Sequence, residues 1–342
     1  MSRQSKLVLF GFLCVILAAG ALTSDYISGI VAEILIFAIF AMSLNLLVGF
    51  TGLLSFGHAA FFGMATYTVI GLGVHLGVGG WWGVLAGVAV STVLAAIIGA
   101  FCIRVTGIPF LMLTMAFSQL LFAGALKWRS LSGGTDGLTG FVPPSVFGVS
   151  LAQSAAARYG IVAVGFLLVL GFLGCLVHSP LGSIFIGIRD NEQRMRAIGY
   201  PVARFKLLAF TIAGALAGVA GALYALFNGY VSTDILNWQA SGDVMIMVVL
   251  GGIGTVIGPA VGAAIFILLK TVISSHSEYW AFWVGAIFIA CVMFLREGIW
   301  GYFQHWFNRT VSGLPQGSTC PDRAIGASIR ISAKGTTGGG EK

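Results

Sequence analysis

The chain has 342 residues, of which 58% are hydrophobic and only 8% are charged. Folded soluble domains carry about 25% charged residues, so most of the outer surface of this chain must face lipid rather than water. This composition excludes a cytosolic enzyme, a nucleic-acid-binding protein and a disordered chain. The net charge of +7 therefore indicates which loops stay in the cytoplasm rather than an acidic partner.

Apolar runs follow one another along the chain, each close to the roughly 20 residues that a transmembrane helix needs. They predict an all-α, polytopic membrane protein with about eight full transmembrane helices plus one re-entrant or broken helical hairpin. The predicted full spans lie near 7-23, 26-48, 55-76, 81-103, 106-126, 159-178, 206-228 and 279-296. The first run follows basic residues as a secretory signal does, but the seven later spans favour an uncleaved anchor.

The apolar stretch 244-272 differs from the other runs because Gly and Pro interrupt it at 251-259, GGIGTVIGP. The freed backbone groups must be buried in protein or line a wet cavity. If the stretch crosses fully, the 18 Lys and Arg divide nine inside and nine outside, whereas a return to the outer face gives fourteen inside and four outside. The second division obeys the positive-inside rule, so we predict a hairpin and two cytoplasmic termini.

The predicted spans define one transmembrane domain, 1-309, with two large loops. The loop 127-158 is predicted to be periplasmic and the loop 179-205 cytoplasmic, while 310-342 is expected to form a disordered cytoplasmic tail.

In the inner loop, Pro180 and Pro201 bracket a short predicted surface helix that Gly199 can end. Its apolar positions, such as Ile188 and Ile198, fall near helical spacing among charged residues. Such a helix either inserts into a groove of another protein or rests on lipid headgroups.

Four sequence blocks carry a resemblance to a known family. They are LNLLVGFTGLLSFGHAAFFG at 44-63, GGTDGL at 133-138, the loop segments SPLG, RDNE and AIG within 179-199, and GGIGTVIGP at 251-259. Together they resemble the bacterial ABC uptake permeases, and more narrowly the LivM branch of the branched-chain amino-acid (LIV) uptake permeases. The resemblance extends from about residue 30 to residue 300.

This resemblance implies a place in the bacterial cytoplasmic (inner) membrane and a set of partners. The partners are a second, LivH-like permease subunit, two ATPase subunits and a periplasmic solute-binding protein. It also implies that loop residues sit in a cleft of an ATPase subunit. The candidate ATPase-coupling residues are Arg189, Asp190, Glu192, Arg194, Arg196, Ala197 and Gly199.

The chain contains no GxxxxGK[ST] phosphate loop and no Cys or His spacing typical of a metal site. We therefore expect a non-catalytic subunit that binds no cofactor or metal itself, while partner subunits use ATP and Mg.

Polar residues within the predicted spans, together with the glycine-rich interruption, mark a candidate translocation path. Glu33 is the only acidic residue predicted well inside a span, where it either lines the path or is neutral or bonded to a neighbouring helix. A lone His such as His58 is more often a hydrogen-bonded interior residue. The interruption either offers backbone groups to a carboxylate or zwitterionic solute or only permits a buried turn. The candidate path residues are Glu33, Asn45, Ser55, His58, Gly252, Gly254, Thr255 and Gly258.

In the outer loop, the candidate contacts for the binding protein are Gly134, Thr135, Asp136 and Gly137, although composition alone predicts a flexible turn there. Two other classes of transporter stay open. An ion-coupled secondary carrier of a small polar solute would need intramembrane acids or His clusters, and a passive channel would need neither ATPase nor binding protein. Among ABC permeases, similar chains carry branched-chain amino acids, urea, short amides or aromatic acids, so the solute is also open.

Overall fold

A computed structural model describes residues 25-77, 80-146, 149-150, 154-276, 279-294 and 298-300. The predicted first span, 7-23, and the predicted tail, 310-342, lie outside these residues. Helices α1 to α12 are, in chain order, Asp25–Asn45, His58–Leu76, Trp81–Cys102, Ile108–Lys127, Arg129–Ser132, Ala155–Val177, Pro180–Asp190, Glu192–Ala197, Val202–Asn228, Trp238–Gly251, Gly258–Ser274 and Trp280–Phe294. A π-helical turn, Leu46–Thr51, extends α1, and 3-10 turns cover Gly134–Asp136 and Thr233–Leu236. Strands β1, Ser145–Val146, and β2, Val149–Ser150, pair antiparallel.

Within the described part of the chain, six helices are long and apolar enough to cross a membrane. They are Tyr26–Thr51, His58–Leu76, Trp81–Cys102, Ile108–Lys127, Ala155–Val177 and Val202–Asn228. Six of the eight predicted full spans are therefore found as helices of spanning length. The last predicted span, 279-296, contains α12, which has 15 residues.

The long helix α1 runs through the centre of the molecule, and from Leu35 onward nearly all of its side chains are buried. Phe40 on α1 stacks on Phe62 of α2 with ring centroids 4.6 Å apart. Small residues let α3 pack closely on α9: Gly214 lies against Ala95, and the Ser91 hydroxyl donates to the Gly214 carbonyl over 2.8 Å. Close approach of this kind is a main source of helix association in lipid.

The helices connect at two opposite ends of the molecule. At the loop end, α7 and α8 lie beside the end of α1 and the start of α9, where Glu192 meets Lys206. At the opposite end, the segment between α4 and α6 meets the residues after α9 through a bridge between Leu138 and Val231.

Helices α10 and α11 form an antiparallel hairpin, so the predicted interruption is confirmed. The helix ends at Gly251, a new helix begins at Gly258, and Gly262 packs against the Met247 carbonyl. The legs have 14 and 17 residues, or about 21 and 26 Å at 1.5 Å per residue. The chain thus returns toward the end from which it came, and its tip, 252-257, lies at the loop end.

The inner loop contains two helices rather than the single surface helix that the spacing predicts. Asn191 separates α7 from α8 with an extended backbone, and its side-chain oxygen accepts a hydrogen bond from the Arg194 amide over 2.9 Å. Such an N-cap favours starting a new helix over continuing the old one. The prediction that Ile188 and Ile198 share one apolar face is also wrong, because Ile188 is buried while Ile198 is 65% exposed. The predicted stop at Gly199 is confirmed by its φ of 96°.

Replacing Gly262 by Ala should destabilise the hairpin, because a Cβ there would overlap the Met247 carbonyl. Overpacking of this kind costs about 1–3 kcal/mol. Gly171→Ala is the matched control, since a Cβ on that helical glycine meets nothing within 4 Å. Thermal unfolding of the purified protein in detergent should give a lower midpoint for Gly262→Ala than for Gly171→Ala. Equal midpoints would contradict the close packing of α10 and α11.

Candidate coupling site

The inner loop offers most of its charged side chains to solvent at the loop end. The exposed candidate coupling residues are Arg189, Asp190, Arg194, Arg196, Ala197 and Gly199, and Glu192 is half-buried. Cap interactions hold both helices in place: Ser179 precedes Pro180 and caps α7, and Asn191 caps α8. The loop is therefore an ordered, exposed platform on which a protein partner can bind.

Glu192 ties this platform to the start of α9. One carboxylate oxygen lies 2.7 Å from Lys206 Nζ and the other 2.6 Å from an Arg196 guanidinium nitrogen. Partial burial alone would raise the pKa of the Glu192 carboxyl, but the hydrogen bonds and charges of Lys206 and Arg196 together lower that pKa below its ordinary value. Lys206, whose side chain is only 5% exposed, also belongs to the site, although it is not among the candidate coupling residues predicted from the sequence.

Arg189 ties the platform to the end of α1. Its guanidinium donates to the Gly49 carbonyl in the π-helical turn over 2.5 Å and also pairs with Asp190 at 3.1 Å. Gly52, with a φ of 72°, lies directly against the Arg189 side chain. A π-helical turn leaves carbonyls without their usual α-helical partners, and the Arg189 guanidinium occupies one of them.

Asn45, one turn earlier, binds the tip of the hairpin. Its amide nitrogen donates to the Thr255 carbonyl over 2.7 Å, and its amide oxygen accepts from the Gly254 backbone N–H over 3.0 Å. The Thr255 hydroxyl in turn accepts from the Gly258 N–H over 3.1 Å, at the start of α11. Gly252 and Gly254 have φ values of 116° and 81°, which only glycine adopts without strain.

The structure thus joins residues that the sequence assigned to two separate sites. The candidate coupling residue Arg189 and the candidate path residues Asn45, Gly252, Gly254, Thr255 and Gly258 meet at the loop end. We call this group, together with Gly49, the hinge node. The side chains of Asn45 and Thr255 already form hydrogen bonds with backbone groups of the tip. These groups therefore do not need a charged solute as a hydrogen-bond partner.

Two other candidate path residues lie in the packed interior instead. His58 is fully buried, its Nε2 lies 2.8 Å from the Ser43 hydroxyl, and its ring stacks on Phe40 with centroids 5.6 Å apart. Ser55 is buried as well and accepts a hydrogen bond from the Gly57 N–H over 3.4 Å. His58 is therefore a hydrogen-bonded interior residue, as expected for a lone His in an apolar span.

Glu33 lies on α1, twelve residues from Asn45 and therefore about 18 Å from the hinge node. It is not the only acidic residue inside an apolar helix, because Asp243 lies within α10. Helix α11, which carries Lys270, packs against both α1 and α10. The sequence analysis missed Asp243 because it precedes the apolar run 244-272 by one residue. Asp243 becomes part of the membrane domain because α10 begins at Trp238, five residues before it.

The candidate binding-protein contacts lie at the opposite end. Thr135 and Asp136 are exposed, whereas Gly134 is buried and Gly137 is half-buried. A Cβ on Gly137 would overlap the Val231 carbonyl. The turn is therefore held against the residues that follow α9.

Glu192→Gln should destabilise the loop end at neutral pH, because it leaves the buried Lys206 ammonium without its charged partner. Removing one partner of such a pair costs about 1–3 kcal/mol. Since the folded pKa of Glu192 lies below its ordinary value of 4.5, its contribution is complete above pH 4.5 and is lost as the pH falls through the folded pKa. Thermal unfolding in detergent should show a midpoint difference between wild type and variant at pH 7 that shrinks below pH 4.5. A difference independent of pH would contradict the ion pair.

Comparison with known proteins identifies the family of the chain. A family model described as branched-chain amino acid transport system / permease component matches residues 26–295. The chain is 26% identical over 318 residues to the LivM high-affinity branched-chain amino acid permease protein of Salmonella typhimurium, covering 86% of this chain and 75% of that protein.

Other relatives extend the comparison beyond LivM proteins. The LivH permease protein of Escherichia coli is 24% identical over 78% of this chain and 91% of its own length. The autoinducer 2 import permease LsrC of Klebsiella pneumoniae is 31% identical over 45% of this chain and 43% of its own length. No solved structure shows significant similarity to the chain. Because the family model covers most of the sequence, the chain belongs to the branched-chain amino acid transport permease family and is a multi-pass membrane permease.

Proposed function

We propose that this chain is the permease subunit of an ATP-driven importer in the bacterial inner membrane, and that it moves branched-chain amino acids or a similar small carboxylate or amide inward. The observation that carries the proposal is the double attachment of the exposed loop. Glu192 attaches it to α9, and Arg189 attaches it to the hinge node. A displacement of the loop is therefore passed to two parts of the membrane domain at once.

An ATPase subunit is the partner that this platform fits. The side chains of Asp190, Arg194 and Arg196 are exposed and charged, and Ala197 offers a small surface between them. Two ATPase subunits would hydrolyse ATP with Mg, while this chain binds no nucleotide and catalyses no reaction. The loop 179-205 and both termini then face the cytoplasm, in agreement with the distribution of Lys and Arg.

A second, LivH-like permease and a periplasmic binding protein complete the proposed assembly. Similarity of the chain to both LivM and LivH proteins supports pairing of two related permeases. At the opposite end, the exposed residues Thr135 and Asp136 sit on an anchored turn that a binding protein can contact. With this orientation the hairpin enters from the periplasmic side and turns back near the cytoplasm, and α12 then crosses the membrane toward the cytoplasm.

The solute is proposed from the names of the relatives, which describe branched-chain amino acid transport. Urea, short amides and aromatic acids are the alternatives within the same class of importer. Reconstituted vesicles distinguish the classes of mechanism. Uptake that requires ATP and the binding protein supports the importer, uptake that follows an ion gradient supports a secondary carrier, and uptake that needs neither supports a channel.

Arg194→Glu should uncouple ATP hydrolysis from transport, because it reverses an exposed charge at the centre of the platform. In vesicles that contain the whole importer, stimulation of ATPase activity by the loaded binding protein should fall at least tenfold. Ala197→Asp should act in the same way, since it adds a charge to the same surface.

Lys127→Glu provides the matched control, because this exposed lysine lies at the opposite end of the molecule, on the last residue of α4. It makes the same change of charge away from the platform and should retain at least half of the stimulation. Normal stimulation in Arg194→Glu and Ala197→Asp, with all three variants inserted at wild-type levels, would refute the coupling role of the loop.

A further inference from the structure

Three charged residues of α1, α10 and α11 lie within about one helical turn of the same depth in the membrane domain. Glu33 precedes Asn45 by twelve residues, and Lys270 follows Gly258 by twelve, so both lie about 18 Å from the hinge node along antiparallel helices. Asp243 precedes Gly251 by eight residues, which places it about 12 Å from the tip on the neighbouring leg. We call Glu33, Asp243 and Lys270 the charged triad.

The contacts between the helices support this gathering. In the hairpin, Gly251 lies against Gly258 and Gly262 against Met247, so that each turn of α10 faces one turn of α11. This register places Asp243 opposite Phe266, one turn from Lys270 on the same helix. Helix α1 also packs against α11, so Glu33 and Lys270 lie at the same depth on neighbouring helices.

The triad is unbalanced in charge and only partly buried. Two carboxylates face one ammonium group, so one formal negative charge is left within a region of apolar helices. An uncompensated charge at such a depth costs several kcal/mol, and residues that carry one in a membrane domain usually bind a solute or an ion. All three residues are half-buried, so part of each is accessible from outside the packed core.

An aromatic surface lies next to the triad. Phe37 follows Glu33 by one turn of α1 and is also half-buried, and its ring meets that of Tyr224 on α9 edge-on with centroids 6.5 Å apart. Charged groups and an apolar wall therefore stand side by side, which is the arrangement that a solute with a charged head and an apolar side chain requires.

We propose that the charged triad receives the head group of a zwitterionic amino acid on its way across the membrane. Lys270 binds the solute carboxylate, Glu33 and Asp243 bind its ammonium group, and Phe37 and Tyr224 contact its apolar side chain. The ammonium group of the solute supplies the positive charge that the triad lacks. This inference rests on the proposed function and narrows its solutes to those with both charges.

The test uses the complete importer in proteoliposomes with L-leucine as the probe. Glu33→Gln, Asp243→Asn and Lys270→Gln should each lower ATP-driven leucine uptake at least tenfold, while ATPase stimulation by the loaded binding protein stays within twofold of wild type. Lys127→Gln, which removes an exposed lysine of α4 outside the triad, should leave uptake unchanged. Wild-type uptake in the triad variants would overturn the site and leave the proposed importer standing, whereas a wild-type complex without ATP-driven uptake of any solute would overturn the importer itself.

A second measurement separates solute binding from a purely structural role of the triad. In a chain whose native cysteines are replaced by Ser, Phe37→Cys, one turn from Glu33, leaves the triad intact and should react with a water-soluble methanethiosulfonate reagent. Leucine delivered by the binding protein should slow this labelling at least threefold. Leu268→Cys, on the 48% exposed outer surface of α11, should show no such protection. Labelling of Phe37→Cys that leucine does not slow, or wild-type uptake that prefers 4-methylpentanoate over leucine, would overturn the proposal.

Discussion

The rest of the structure depends on which hydrogen-bond partners the backbone N–H and C=O groups find at the break between α10 and α11. A helix that ends inside a membrane domain leaves backbone N–H and C=O groups that lipid cannot bind, and each unpaired group costs several kcal/mol. Asn45 supplies a donor and an acceptor to this break, and Thr255 caps the helix that follows. The hairpin is thereby fastened to the end of α1, and the depth of every residue on its two legs follows from that point.

The same fastening explains why the inner loop can act on the membrane domain. Arg189 binds the π-helical turn that continues directly from Asn45, so the loop and the hairpin tip share one short segment of backbone. Glu192 holds the loop to the buried Lys206 at the start of α9, the longest helix of the described chain. A displacement of the loop is therefore transmitted to the hairpin through α1 and to the packed core through α9. The charged triad lies farther from the loop, toward the opposite end of the molecule.

Much of this arrangement could be predicted from the sequence, but the contacts between distant segments could not. Composition and run length predicted the helices, Gly and Pro predicted the interruption, and Gly199 predicted a stop, because each depends on local backbone chemistry. The break at Asn191 was missed because apolar spacing was given more weight than an N-cap. The burial of Lys206 and the meeting of Asp243 with Lys270 depend on packing between helices, which no local pattern encodes. Arg189 and Asn45 were assigned to separate sites for the same reason.

The central claim is that Arg189 and Asn45 act as one link between the loop and the hairpin. The most direct test is a double-mutant cycle on the number of ATP molecules hydrolysed for each solute imported, measured in proteoliposomes with wild type, Arg189→Ala, Asn45→Ala and the double variant. Our account predicts that each single substitution raises this ratio severalfold and that the double variant is no worse than the more severe single variant. Ratios that multiply in the double variant, or that stay at the wild-type value in both single variants, would contradict it.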